Sequence, residues 1–246
     1  MDPDQARPET APPDTAPPDT APPDTAVFDV DGTLVDTNYQ HAIAWFRSFR
    51  RHGITLPLWR LHRAIGMGGD QLVAAVAGED VEARLGDDLR AGWAEEFAPM
   101  LDEVQPFEGV PGLLTEVRER GFRIVLASSG KAEHVEHYLG LFDGKKLADD
   151  WTTSAEVQRT KPAPDLLEAA MRKVGGTAGV LVGDSVWDFR AAEAFGAPGY
   201  AVLSGGFSAD ELRAAGAREV FESPDELRRR LDETLLARAA TRSAGP

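Results

Sequence analysis

Cysteine is absent from this 246-residue chain. Its absence excludes disulfides, thiolate metal sites and a cysteine nucleophile together. Long hydrophobic runs are missing too: the longest clean one, Leu72 to Ala77, is far too short to span a bilayer. Positive charge is scarce. There are 26 Lys and Arg against 41 Asp and Glu, for a formal net charge of −15, and only five of the cations are lysines. Nucleic acid and anionic membranes both require clustered positive charge, so neither is an expected partner. What is present, 42% hydrophobic and 27% charged residues, suffices for one large α/β domain or a medium domain plus a small one. A cytoplasmic soluble monomer is the default expectation.

The acidity is uneven. Residues 1–25 hold eight of the 17 prolines, six acidic side chains and one Arg, and so carry −5 of the charge. Ala-Pro-Pro-Asp-Thr occurs there three times, at 11–15, 16–20 and 21–25. With nothing apolar larger than Ala or Pro after Met1, this stretch reads as a disordered, extended leader. It lacks the basic start and apolar centre of a signal peptide.

At Ala26 the composition changes abruptly. Ala26-Val27-Phe28-Asp29-Val30 reads as a buried strand that runs into Asp31-Gly32-Thr33-Leu34-Val35-Asp36. Alternate positions of extended backbone face the same way, so Asp29 and Asp31 can reach one site. Close carboxylates repel unless a cation lies between them or one holds a proton. Thr37 and Gln40 then fit a capping box for a helix over 38–52. Further along, a helix over 110–120 precedes a strand at 122–127 ending in Ser128-Ser129-Gly130. Thr160-Lys161-Pro162-Ala163-Pro164 leads into a helix over 165–174, and strand 180–182 leads into Gly183-Asp184-Ser185-Val186-Trp187-Asp188. A strand region at 196–203 and helices from 208 and 224 complete the pattern. Strands alternating with helices imply a Rossmann-like doubly wound α/β core with a parallel sheet, whose ligands lie beyond the carboxyl ends of the strands.

These four motifs, in order and at strand ends, resemble the signatures of the haloacid dehalogenase superfamily over residues 26–238. The resemblance implies a phosphatase of small phosphorylated metabolites, phosphoglycolate-like or sugar phosphates. It implies Asp29 as nucleophile, Asp31 as general acid and base, and Ser128 and Lys161 as partners of the transferring phosphoryl group. It assigns Mg²⁺ to the Asp29 and Asp184 carboxylates and the Asp31 backbone carbonyl. Asp188 holds metal-bound water or orients Lys161. An oxygen-only donor set suits such a hard cation. Backbone N–H groups of Gly32, Ser129 and Gly130 are candidate substrate donors. The five histidines fall outside the four motifs, and His134 and His137 read as surface residues.

Residues 37–106 show helical patterns at 38–52, 57–65, 69–77 and 80–101, with no strand-like run. They resemble the all-helical cap that the superfamily inserts after the first strand, leaving 26–36 and 107–238 as the core and 239–246 as a flexible tail. Gly66, Gly68 and Gly69 form a candidate specificity loop, since glycines permit close backbone approach to a ligand. His62 and Arg63 just before it are candidate contacts. Phosphonate cleavage needs a cap Lys, and none precedes Lys131. A sugar-phosphate mutase of the β-phosphoglucomutase type is the alternative reading, and a binding protein without turnover a more distant one.

Overall fold

The computed structural model describes residues 22–239. The leader up to residue 21 and the tail from residue 240 lie outside the described residues. Six strands form one sheet: β1 Thr25–Phe28, β2 Arg123–Ala127, β3 Asp150–Thr152, β4 Gly179–Gly183, β5 Gly199–Val202 and β6 Glu219–Phe221. Every pairing is parallel, in the order β3-β2-β1-β4-β5-β6. Between β1 and β2 the chain passes through α1 Asn38–Arg51, α2 Leu58–His62, α3 Gly69–Ala77, α4 Glu79–Phe97 and α5 Val110–Glu119. Later come α6 Ala132–Leu141, α7 Gly144–Leu147, α8 Asp165–Val174, α9 Val186–Phe195, α10 Ala209–Ala214 and, after β6, α11 Pro224–Arg229.

The apolar run of β1 follows from its central place. Ala26 and Phe28 join a core cluster with Leu113, Val117 and Tyr138, whereas Val27 joins the opposite cluster with Leu167, Met171 and Ala191. Successive side chains leave opposite faces of a strand, and here helices cover both, so an alternating polar pattern has no place. From β1 the chain winds out through β2 and β3, then returns to the other side of β1 as β4. That reversal opens a crevice at the carboxyl ends of β1 and β4. Asp29 and Asp184 are the first residues beyond those two strands.

Helices α1 to α4 enclose their own small core, built on Trp45, Phe49, Leu61, Leu72, Val73 and Leu89. No strand of the sheet falls within residues 37–106. The chain enters and leaves this unit side by side: the Asp36 N–H donates to the Gln105 carbonyl at 2.9 Å, and that of Phe107 to Leu34 at 3.0 Å.

Four local expectations are corrected. The ordered chain starts before Ala26, because Thr25 opens β1 and the Asp24 carboxylate accepts from the Thr177 and Ala178 N–H groups at 3.0 and 3.3 Å. The last pentamer thus ends inside the fold. Thr37 makes no side-chain cap for α1: its backbone, at φ −131° and ψ −16°, is not in the extended cap conformation, and its hydroxyl donates to Asp31 at 3.1 Å. His134 is buried against Trp93 and Phe97 rather than at the surface. Strands β3 and β6 were not anticipated; each has three residues and an acidic first position.

Candidate active site

The loop after β1 explains how two aspartates reach one place. The Asp29 N–H donates to the Val182 carbonyl at 2.9 Å, so residue 29 still follows the sheet. The Val30 carbonyl then accepts from Thr33, Leu34 and Val35, while Gly32, at φ +81°, donates its N–H to Val35 at 2.8 Å. This tight turn needs glycine for its left-handed backbone. A Cβ at Gly32 would also meet the side chains of Asn38 and Asp184. Gly32 therefore shapes the turn, and its N–H, expected to be a substrate donor, is already engaged.

Asp29 is buried, and Lys161 from the loop before α8 hydrogen-bonds to it. The same ammonium donates to Asp188 Oδ1 at 2.8 Å. Asp188 opens α9 in a reciprocal cap with Ser185, its Oδ2 accepting the Ser185 N–H at 3.0 Å and hydroxyl at 2.6 Å. Asp184 accepts the Thr33 hydroxyl at 2.8 Å and the Asn38 amide at 2.9 Å. Asp29, Asp184 and Asp188 each offer a carboxylate oxygen within 4.8 Å of the others, all three residues being buried.

Three buried carboxylates against one ammonium leave an excess of negative charge that burial makes costly. The proton affinities reflect this. Burial pushes Asp29 well above the usual carboxylate range, opposed by Lys161 and reinforced by Asp188, Asp184 and Asp31. Burial and the charge of Asp188 push Asp184 up to about 7, against hydrogen bonds from Thr33 and Asn38. Lys161 goes the other way: burial would lower it, but Asp188 and Asp29 raise it above its ordinary value. An oxygen-only cluster with unbalanced charge fits a hard divalent cation.

Asp31 has a different environment. Its Oδ2 accepts the Ser128 hydroxyl at 2.7 Å, and its Oδ1 lies 3.1 Å from both the Thr37 hydroxyl and His41 Nε2. Burial would raise Asp31, but His41, Ser128 and Thr37 together hold it below the ordinary range. The Ser128 hydroxyl, expected on phosphoryl oxygens, therefore sits on Asp31, and it also accepts the Gly130 N–H at 2.9 Å. That amide, too, is not a free substrate donor.

Asp29, Asp31 and Lys161 line a cavity of about 260 Å³ between the core and the helical unit. Ser129, Gly130, Gly66, Gly68 and Gly69 also line it. The Gly68 N–H donates to the Thr160 hydroxyl at 3.0 Å, and the Asp70 carboxylate accepts the Thr160 N–H at 3.2 Å. Ser129 donates to the Gly66 carbonyl at 3.3 Å. The glycine loop thus docks directly beside Lys161. His62 and Arg63 are not in the cavity wall. His62 Nε2 is 3.0 Å from the Gly205 carbonyl, and Arg63 pairs with Glu211 while lying 4.0 Å over the Phe207 ring. Both hold the outer contact of α2 with the core.

His41, Asn38, Thr33 and Thr160 are the site residues that sequence reading missed. Asn38 and His41 are three apart and so share one face of the first turns of α1. That pair of polar residues on the inner face was the available signal.

Several proteins of known kind resemble this arrangement. Phosphoglycolate phosphatase of Caulobacter vibrioides is 29% identical over 206 residues, covering 80% of this chain and 85% of that protein. Validoxylamine A 7'-phosphate phosphatase of Streptomyces hygroscopicus subsp. limoneus is 30% identical over 144 residues, or 56% of this chain; the chain spans just under two thirds, 65%, of that protein. The crystal structure of a hydrolase from Pseudomonas syringae matches with a TM-score of 0.80 at 31% identity, over 85% of this chain and 98% of that one. The sequence pattern of haloacid dehalogenase-like hydrolases matches residues 23–196, well over half of the chain. With the sheet order, the buried acidic cluster and this match in agreement, the chain is an enzyme of the haloacid dehalogenase-like hydrolase family.

Proposed function

We propose that this enzyme is a Mg²⁺-dependent phosphatase that hydrolyses a small phosphomonoester through an aspartyl-phosphate. The observation that carries the reading is the pairing of two unlike carboxylates in one cavity: Asp29 on Lys161, and Asp31 on Ser128, Thr37 and His41. Two carboxylates in distinct environments can take separate roles, and a cation balancing the charge of the cluster would return Asp29 to the ionised form that a nucleophile needs.

Asp29, Asp184 and Asp188 are the residues that would hold the cation. A cation bound there supplies positive charge that lets a phosphate dianion approach ionised carboxylates and offsets charge developing on its oxygens. Lys161 favours the ionised form of Asp29 and faces the cavity where phosphoryl oxygens enter. A carboxylate oxygen of Asp29 attacks phosphorus and forms a new P–O bond as the ester P–O bond breaks. Asp31 gives its proton to the departing alcohol oxygen. The substrate's own negative charge promotes that protonation, because a nearby like charge raises a carboxyl's proton affinity. Water then attacks the same phosphorus and yields a proton to Asp31. The bond to Asp29 breaks, phosphate leaves, and both residues return to their starting forms.

Hydrolysis is favoured over a mutase because Gly66-Met67-Gly68-Gly69 brings no cationic side chain to hold a second phosphate. The test is hydrolysis of p-nitrophenyl phosphate by the purified protein with Mg²⁺. Activity is expected to vanish in Asp29→Asn and on chelation of the metal. Undiminished activity in Asp29→Asn would sink the mechanism, and isomerised hexose phosphate without phosphate release would establish the mutase.

A further inference from the structure

The cavity's cap side has a chemistry that the phosphoryl site does not require. Trp45 of α1 and Trp93 of α4 line it, their rings 5.6 Å apart and stacked at 21°. Ile65 and Met67 of the glycine loop extend that surface, and Val157 adds to it from the core. The charged cap residues that reach the wall are already satisfied. Arg90 donates to both Glu82 oxygens, to Asp87 and to the Gly69 carbonyl. Asp70 accepts from Thr160 through both of its oxygens. A second anionic group pressed against this wall would be desolvated without a counter-charge, which is unfavourable. An uncharged ring loses nothing comparable and gains the indole surface.

Lys131 is the remaining cation of the wall. It is exposed, it makes no ion pair among the described residues, and its Nζ lies 5.5 Å from the Trp93 ring centre. A solvated ammonium at a rim attracts anions weakly because water and salt screen it. The desolvated indoles are the stronger discriminator. The size of the space agrees with one ring. At about 260 Å³ the cavity lies just below the roughly 300–1,000 Å³ of pockets that take drug-sized ligands, which suits a phosphoryl group and a single ring.

From these features we infer that the leaving alcohol is a single uncharged ring packed against the indoles of Trp45 and Trp93, not a two-carbon acid or a bisphosphate. The inference rests on the phosphatase reading above. Its test compares kcat/KM, with Mg²⁺ present, for cyclohexyl phosphate, ethyl phosphate and phosphoglycolate, whose leaving alcohols are of similar basicity. Cyclohexyl phosphate is expected to exceed ethyl phosphate by at least roughly 10- to 200-fold, the range for a single methylene in an apolar pocket. It should exceed phosphoglycolate by at least about tenfold on the same ground. Trp93→Ala should collapse the cyclohexyl-to-ethyl ratio toward unity, and Trp93→Phe should keep most of it. A ratio cancels any loss that reaches both substrates through His41 or through the fold. Equal kcat/KM for the two alkyl esters, or faster turnover of phosphoglycolate, overturns the ring inference and leaves the phosphatase standing. Failure to hydrolyse any of the three esters or p-nitrophenyl phosphate removes the phosphatase reading and this inference with it.

Discussion

Asp29 and Asp31 are two positions apart, and their surroundings move them in opposite directions. Asp29 lies beside two further carboxylates and one ammonium, so burial wins and its proton affinity rises. Asp31 faces donors only, so His41, Ser128 and Thr37 outweigh the same burial. Under the proposed mechanism, Asp31→Asn therefore separates the two half-reactions. p-Nitrophenolate departs without needing a proton, so one equivalent should appear in a burst while Asp29 is phosphorylated. Hydrolysis of that intermediate then lacks its base and should slow by about 10²- to 10⁴-fold, the usual scale for general acid–base catalysis. Rapid-quench measurement of the burst checks this, and a variant that slows burst and steady state equally would remove Asp31 from the second step. Asp29, Asp31 and Asp184 were legible because they follow strand ends in short local patterns, and Lys161 because its own short pattern leads into α8. His41 was not, because it meets Asp31 only when α1 folds back over the crevice. Asn38 is further removed still, reaching Asp184 across 146 positions of chain.

At the scale of elements, the glycine loop couples the cap to the segment that carries Lys161. Gly68 has an ordinary φ of −73°, so its reason for being glycine is space rather than backbone strain. A Cβ there would meet the Thr160 hydroxyl and the Asp70 carboxylate. Gly68→Ala is expected to push the loop off Thr160 and to lose one or two hydrogen bonds, about 1–2 kcal/mol, or five- to thirtyfold in kcat/KM. The cation cluster belongs to the core, so the thermal shift produced by Mg²⁺ should survive. Loss of that shift together with activity would show general damage instead of a docking defect. Sequence patterning located the long helices well: 38–52 became Asn38–Arg51, 69–77 became Gly69–Ala77, and 165–174 became Asp165–Val174. Periodicity over several turns survives any tertiary context. Strands β3 and β6 left no such trace, since Asp150–Thr152 and Glu219–Phe221 are too short to show a period. The helix start at Thr37 misled for another reason: its backbone does not take the extended conformation that a cap needs, and its side chain is directed at Asp31.

For the whole molecule, the net charge of −15 matters less than where a few of the carboxylates lie. Exposed acids are hydrated and screened, whereas Asp29, Asp184 and Asp188 repel one another in a dry site. The consequence for stability has a definite sign. A carboxyl whose folded value is raised favours the folded state fully below its unfolded value, and that advantage disappears as pH rises through the folded value. For Asp184 the window runs from 3.8 to about 7, and Asp29 acts in the same direction. Asp31 has the opposite sign, with a contribution present above 3.8 and lost only as pH falls below that window. The metal-free protein should therefore lose stability between pH 5 and pH 8: Asp184 alone, over the two pH units from 5 to about 7, accounts for about 3 kcal/mol at roughly 1.36 kcal/mol per unit, and Asp29 adds to the loss in the same direction. A divalent cation competes with those protons, so its binding strengthens as the carboxyls ionise. The Tm increase on adding saturating Mg²⁺ should be larger at pH 8 than at pH 5. Asp184→Asn should raise the metal-free Tm at pH 8, because it removes the charge and keeps the shape, and it should abolish most of the Mg²⁺ effect. Differential scanning fluorimetry at the two pH values reads all of these quantities. An equal Mg²⁺ effect at both would mean that the cluster is already ionised at pH 5, and that charge repulsion among its carboxylates is not what the cation relieves.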